Sequence, residues 1–154
     1  MRRGDREVKS RDEVIDILRR SNTIRLGING DPFPYVVPLS FGFEDIEGQL
    51  SVYVHGAAEG FKHELLENDS HVCVEADIMH EFVETEKGLT TLYESFIGFG
   101  KAEQITGDEA IRALDIICAH CGYEGFEYDT AGLRFMRIYK LTLSSISGKR
   151  NLPG

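Results

Sequence analysis

The sequence predicts a mainly β protein, an antiparallel barrel with helices packed on its outside. Six segments have the alternating apolar pattern or the β-branched and aromatic composition of strands. Only three segments have apolar residues at helical spacing. The predicted strands cover 23–28, 35–43, 50–55, 71–77, 93–105 and 134–145, and the predicted helices cover 10–20, 59–67 and 108–120.

The elements of the first half are defined by their ends. Ser10 or Asp12 can cap the first helix, whose apolar residues fall within 14–18. The sequence Asn29-Gly30-Asp31 predicts a turn after the first strand. The second strand, 35–43, contains a proline that cannot donate to a sheet ladder, so we expect it at an edge or interrupted by bulges.

The elements of the second half are punctuated by glycines and polar residues. Residues 78–91 are acidic and irregular, which predicts a strand extension followed by a loop. Gly98 and Gly100 indicate a bend or a close approach in the long fifth strand. Residues 121–132 form a predicted loop before the last strand.

The composition is that of one globular domain covering residues 1–154, with 42% apolar and 28% charged residues. A net charge of −9 disfavours nucleic-acid binding and a polybasic membrane anchor. No apolar run approaches the ~20 residues of a membrane helix. The charged beginning of the chain shows no signal peptide, and the three cysteines fit free thiols, so we expect a soluble cytoplasmic protein.

A predicted strand-to-helix turn, residues 55–62, is a candidate anion site. Gly56 would let a ligand approach the backbone, and the first amides of the following helix carry a partial positive charge. Lys62 lies about one turn into the helix and His55 stands beside the turn as a hydrogen-bond donor or proton carrier. The alternative is a tight turn that needs glycine, with Lys62 and His63 simply solvated.

The second predicted strand is a candidate contact for a planar ring. Its prolines leave backbone groups unpaired, and these could bond the edge of a ring, while Tyr35 and Phe41 offer apolar walls. The alternative is an edge strand that prolines protect from aggregation.

Metal and thiol chemistry have weak support. Cys118 and Cys121 form a C-x-x-C at the C-terminal end of a helix, opposite to the end that activates thiols. The histidines fit no common metal-binding spacing, so we expect no metal site.

Five segments, taken in order, resemble one family. They are the opening Arg2-Arg3 with Asp5-Arg6-Glu7, the stretch Pro34-Tyr35-Val36-Val37-Pro38-Leu39-Ser40-Phe41, the turn His55-Gly56-Ala57 with Gly60-Phe61-Lys62, the stretch 93–102 and the ending Ile146-Ser147-Gly148-Lys149. Together they resemble the pyridoxamine 5′-phosphate oxidase-like FMN-binding superfamily, in the branch similar to nitroimidazole-resistance proteins.

The resemblance implies a six-stranded antiparallel split β-barrel that forms a homodimer with FMN at the interface. In the family, the matching strand lines the flavin ring and the matching turn holds its ribityl and phosphate groups. The residues implied in cofactor binding are Val37, Pro38, Leu39, Ser40, Phe41, His55, Gly56, Ala57, Lys62, Tyr93 and Ser95. Tyr93 and Ser95 could belong to either subunit.

Two hypotheses of different classes follow. The first is an FMN-dependent oxidoreductase of a small molecule, in which His55 acts as the catalytic proton donor and a nitro group is one candidate substrate. The second is a flavin- or haem-binding protein without turnover. Oxidation of vitamin B6 is not expected, because the chain lacks the arginine-rich motifs of true pyridoxamine phosphate oxidases.

Overall fold

The computed structural model describes residues 4–153. Its three helices are α1 (Arg11–Arg20), α2 (Phe61–Asn68) and α3 (Gly107–His120). Short 3₁₀ turns cover Gly4–Arg6 and Thr130–Phe135. The strands are β1 (Glu7–Val8), β2 (Ile24–Ile28), β3 (Tyr35–Leu39), β4 (Phe41–Ile46), β5 (Gln49–Ala57), β6 (His71–Thr85), β7 (Gly88–Ile105) and β8 (Met136–Asn151).

All eight strands belong to one antiparallel sheet with the order β3-β2-β6-β7-β8-β5-β4, and β1 pairs with β8. The mainly β class with a few helices is therefore confirmed. The predicted number of six strands is not confirmed. The two additional strands are the short β1 and one that arises because the predicted strand 35–43 is in fact two strands.

The division of the predicted strand 35–43 occurs at Ser40 and creates both edges of the sheet. β3 pairs only with β2, and β4 pairs only with β5, among residues 4–153. Pro38 lies near the end of β3, an edge strand, where a residue without a backbone amide hydrogen is tolerated. Because one residue joins the two outermost strands, the sheet must curl until its edges meet at Ser40. We call this junction the seam.

Residues 78–91 form a hairpin, so the predicted strand extension is confirmed and the loop predicted after it is wrong. β6 and β7 stay paired from His71–Lys101 to Thr85–Gly88, with one bulge between Met79 and Glu81. Thr85 closes the turn by donating its hydroxyl to the Gly88 carbonyl at 2.8 Å. The hairpin projects with both faces largely exposed, so the alternation that marks a half-buried strand is missing from its sequence.

The core lies on both faces of β5, because alternate side chains of a strand point to opposite faces. Val52 and Val54 face the larger cluster, which also contains the buried side chains of α1 and the last turn of α2. Tyr53 faces the opposite way and packs with Ala113 and Ile117 of α3. Helix α3 therefore covers the outer face of β5 close to the seam.

The buried carboxylate of Glu94, on β7, links α1 to the C-terminal end of β8. Glu94 accepts hydrogen bonds from Arg20 at 2.8 and 3.0 Å, from Arg150 at 2.8 Å and from His80 at 3.1 Å. Its side chain is 4% exposed. The hydrogen bonds from Arg20 lower the pKa of Glu94 to about 2, and those from Arg150 and His80 act in the same direction. We call these four residues the Glu94 cluster.

No helix in residues 4–153 is long and apolar enough to cross a membrane.

Candidate functional site

The turn between β5 and α2 begins where β5 ends at Ala57 and α2 starts at Phe61, two residues later than predicted. The residue before the helix is Gly60, whose φ of 146° is strained for any residue with a side chain. The Ala58 amide donates to the Phe135 carbonyl at 3.0 Å and ties the turn to the segment before β8. The His63 amide donates to the Gly60 carbonyl at 3.1 Å, whereas the amides of Phe61 and Lys62 have no acceptor inside the helix.

Lys62 folds back over Gly56, as the anion-site hypothesis requires. A β-carbon built on Gly56 would lie 2.7 Å from Cε of Lys62, so only glycine leaves room for this path. The side chain is half-buried, and burial lowers the pKa of Lys62. Within residues 4–153 it forms no ion pair and no hydrogen bond. A half-buried ammonium group without a partner is a suitable anchor for an anion.

His63 holds this turn in place, so the alternative of a solvated residue is wrong for it. The side chain is 2% exposed. Its Nε2 lies 2.7 Å from the Ala57 carbonyl, which can only accept, so Nε2 carries the proton and donates. Burial lowers the pKa of His63, and its unprotonated Nδ1 accepts from the Tyr139 hydroxyl at 2.8 Å. Sequence reasoning missed this role, because Tyr139 is distant along the chain.

Arg137 is a second positive group that sequence reasoning missed. It lies directly across from Gly56 in the pairing of β5 with β8. The charges of Lys62 and Arg137 both lower the pKa of His63, so both lie close to that residue. The Arg137 guanidinium pairs with Glu67 at 2.8 Å, and the Glu67 side chain is 67% exposed. Such an exposed pair is weak enough for an incoming anion to compete with Glu67.

His55 is half-buried and makes no hydrogen bond with any residue in 4–153. Burial is the main cause that lowers its pKa, and the charge of Lys62 adds to the effect. The imidazole is therefore neutral near pH 7, with one nitrogen able to donate and the other able to accept.

A cavity of about 330 Å³ adjoins His55 on the outer side of the sheet. It lies at the seam, between the edge of β4 and β5 and the C-terminal end of α3. We call it the seam cavity. It is lined by Ser40, His55, Ile117, Cys118, Cys121, Tyr123 and Phe126.

The predicted ring-contact residues straddle the seam. Val37 and Leu39 are half-buried and pack against the core, whereas Pro38 and Ser40 are exposed. Phe41 is fully buried, and its ring lies 4.3 Å from the ring of His120. Its side chain thus faces the interior, and only its backbone borders the seam.

Tyr93 and Ser95 do not come near the turn within one chain. On β8, Ser95 pairs with Lys149, whereas His55 pairs with Ile138. The two positions are 149 − 138 = 11 residues apart, which is up to roughly 36 Å of strand contour. The structure brings together the turn residues 55–57 with Lys62 and the seam residues 37–41, but not the pair from β7.

Metal ligands are absent from the described part of the chain, where no three His, Cys, Asp or Glu side chains form a group that could hold an ion. Cys118 and Cys121 lie at the C-terminal end of α3, as predicted, and both are free thiols. Burial raises the pKa of Cys118, so its thiol stays protonated at neutral pH.

The family model described as pyridoxamine 5′-phosphate oxidase matches residues 10–150. The chain therefore belongs to the pyridoxamine 5′-phosphate oxidase family, as the resemblance of its motifs predicted. A comparison with curated proteins gave no match.

Several solved structures have the same fold. A candidate 5-nitroimidazole antibiotic resistance protein from Bacteroides thetaiotaomicron is 29% identical, with a TM-score of 0.82 over 93% of this chain and 85% of that one. The flavocytochrome Anf3 from Azotobacter vinelandii is 18% identical, with a TM-score of 0.81 over 99% of this chain and 72% of that one. An FAD and haem binding protein from Mycobacterium smegmatis is 18% identical, with a TM-score of 0.75 over 96% and 74%.

Proposed function

We propose that this chain is an FMN-binding flavoprotein with a split β-barrel fold and that it acts as an oxidoreductase on a small molecule. The observation that carries the proposal is the half-buried Lys62 ammonium group, which lies over Gly56 and has no partner in residues 4–153. Proteins of the same fold include a flavocytochrome and FAD binding proteins, which supports a flavin as the ligand.

The phosphate of FMN is the group that fits the turn. Lys62 would neutralise its charge, and the first amides of α2 would donate to its oxygens. The backbone of Gly56 and Ala57 lies open between these donors, because Gly56 has no side chain. Arg137 would add a second positive charge from the neighbouring strand.

The flavin ring would follow the seam residues Val37, Pro38, Leu39, Ser40 and Phe41. The open edge of β3 offers backbone groups to the ring edge, and Pro38 removes one amide that would otherwise need a partner. Only the backbone of Phe41 would take part, since its ring is buried.

We also propose a homodimer, with Tyr93 and Ser95 supplied by the partner subunit, because one chain keeps them far from its own turn. The outer face of the sheet supports this assembly. Val36 on β3 and Phe99 on β7 are 60% and 54% exposed and lie in one cross-strand row through Gly27 and Cys73.

Free Cys73 fits our expectation of a reducing cytoplasm.

When bound, FMN would supply the hydride or electron chemistry. The chain would orient it and exclude water, and His55 would hold or donate a proton beside the ring. A nitro compound is one candidate substrate, because the 29% identical relative is a candidate 5-nitroimidazole antibiotic resistance protein.

A second candidate function is haem binding without turnover. Two proteins of this fold are described as a flavocytochrome and as an FAD and haem binding protein. The imidazole of His55, which has no partner in the described residues, would hold the haem iron.

An absorbance spectrum of the purified protein, followed by titration with FMN, tests the proposal. We expect flavin bands and saturable binding of one FMN per chain. A Soret band without flavin uptake would favour the haem function, and a colourless protein that takes up neither cofactor would contradict both. Light scattering would measure the dimer separately.

A further inference from the structure

The seam cavity has a polar end and an apolar end. Ser40 and His55 lie at the seam, whereas Ile117, Tyr123 and Phe126 form the opposite wall. Tyr123 and Phe126 make an edge-to-face pair with ring centroids 6.1 Å apart. Both rings are nevertheless largely exposed, at 64% and 55%. Two large aromatic side chains therefore remain in contact with water beside an open cavity.

The polar end carries a hydrogen-bonding group that the protein itself does not use. His55 has no partner in residues 4–153, although it is half-buried. A buried or half-buried imidazole without a partner loses hydrogen bonds that it would have in water. A ligand with a polar substituent would restore them.

Size and charge restrict the ligand further. At about 330 Å³, the cavity lies at the lower end of the range for small-molecule sites. No carboxylate in residues 4–153 lines it. The charge of Lys62 acts on His55 at its polar end, and the charge of Asp115 acts on Cys118 in its wall. With charges of both signs nearby and none in the described lining, neither a cation nor an anion is favoured, and an uncharged ligand fits best.

We propose that the seam cavity binds the substrate, and that the substrate class is flat, uncharged aromatic molecules of one or two rings with a polar substituent directed at His55. Tyr123 and Phe126 would pack on the ring and select planar molecules. Cys118 would contribute a neutral, polarisable wall. This inference rests on the proposed function, because it places the substrate beside the flavin ring.

Binding of 4-fluorobenzamide, followed by ¹⁹F NMR in FMN-free and FMN-loaded protein, tests the cavity. We expect saturable binding in both forms. 4-Fluorocyclohexanecarboxamide, which is not planar, should bind at least fivefold more weakly. The double variant Tyr123→Ala/Phe126→Ala should weaken 4-fluorobenzamide at least tenfold, whereas the control Phe82→Ala, an exposed ring on the β6–β7 hairpin, should change it less than twofold.

Alkylation of the wild-type protein gives a second measurement that needs no variant. Iodoacetamide should modify exposed Cys121 more slowly in the presence of 4-fluorobenzamide, and this protection should saturate as the ligand concentration rises. At the same concentrations, 4-fluorocyclohexanecarboxamide should protect Cys121 less. Equal protection by the two compounds, or none by either, would overturn the assignment.

The FMN titration separates this inference from the proposed function. If FMN does not bind but 4-fluorobenzamide binding and Cys121 protection persist, the cavity assignment stands and the proposed function fails. If the double variant loses FMN and keeps 4-fluorobenzamide, the cavity belongs to the flavin and the inference is wrong.

Discussion

The Glu94 cluster and the β5–α2 turn both hold a charged side chain partly or wholly out of water, but only in the Glu94 cluster is that charge paired. Glu94 is almost fully buried and receives hydrogen bonds from Arg20, Arg150 and His80. Lys62 and His55 are half-buried, and neither has a partner in the described residues. The pKa of Glu94 falls because its charged form is stabilised, whereas the pKa of Lys62 falls because its charged form is desolvated.

This contrast separates a structural site from a candidate functional one. A charge that is fully paired contributes to folding and has nothing left to offer a ligand. A charge that is desolvated and unpaired costs stability, and a bound anion would offset that cost. The direction of the pKa shift alone does not distinguish the two sites, whereas its cause does.

The largest expected effect is the loss of stability in Glu94→Gln. Gln removes the charge that holds two arginines, and breaking a buried pair in this way costs ~3–5 kcal/mol. Because Arg20 and Arg150 keep some contact with water, we expect about 3 kcal/mol, measured by urea denaturation. The control is Glu13→Gln, which loses an exposed pair with Arg150 and should cost about 0–1 kcal/mol. Equal losses in the two variants would contradict the comparison.

Acid should remove the same stabilisation. The pKa of Glu94 lies at about 2 in the folded protein and near 4.5 when unpaired, so its contribution is complete above about pH 4.5 and declines as the pH falls towards 2. The difference in unfolding free energy between wild type and Glu94→Gln should shrink over that interval. Denaturation curves at pH 7, 5, 4 and 3 would measure it, and a difference independent of pH would contradict the role of Glu94.

Lys62→Ala should weaken FMN binding without lowering stability, the reverse of what we expect for Glu94→Gln. We expect FMN affinity to fall by about 1–3 kcal/mol, the range for losing a charged hydrogen bond. The free energy of unfolding should not fall, because Lys62 forms no pair in the described residues and its desolvated charge costs stability. Lys87→Ala, in the exposed turn of the β6–β7 hairpin, is the control. An unchanged affinity would refute the proposed role of Lys62.

Tyr139→Phe should have the smallest effect. It removes the hydroxyl that donates to Nδ1 of His63, and we expect a loss of about 1 kcal/mol in stability. The turn should loosen only slightly, since His63 keeps its bond to the Ala57 carbonyl. FMN titration should therefore show a loss of less than about tenfold. A larger loss of affinity than in Lys62→Ala would show that positioning of the turn matters more than its charge.

Two of the three helices, α1 and α3, were predicted almost to the residue because local periodicity defines them. The predicted 10–20 and 108–120 correspond to Arg11–Arg20 and Gly107–His120. The hairpin within 78–91 was missed because both of its faces are largely exposed, so its pairing rests on backbone hydrogen bonds that leave little pattern in the sequence. The break at Ser40 was missed because prolines indicate an edge strand without showing that the chain supplies both edges.

The sequence by itself determined that a glycine-containing turn joins a strand to a helix at 55–62, with one lysine in the first turn of that helix. Those features are local and follow from residue type and spacing. Only the tertiary structure decided that Lys62 has no partner in residues 4–153, that His63 is anchored to Tyr139, and that Arg137 lies opposite Gly56. His63 and its partner Tyr139 are 76 positions apart along the chain, and Gly56 and Arg137 are still farther apart, so strand register and not local pattern determines which groups meet.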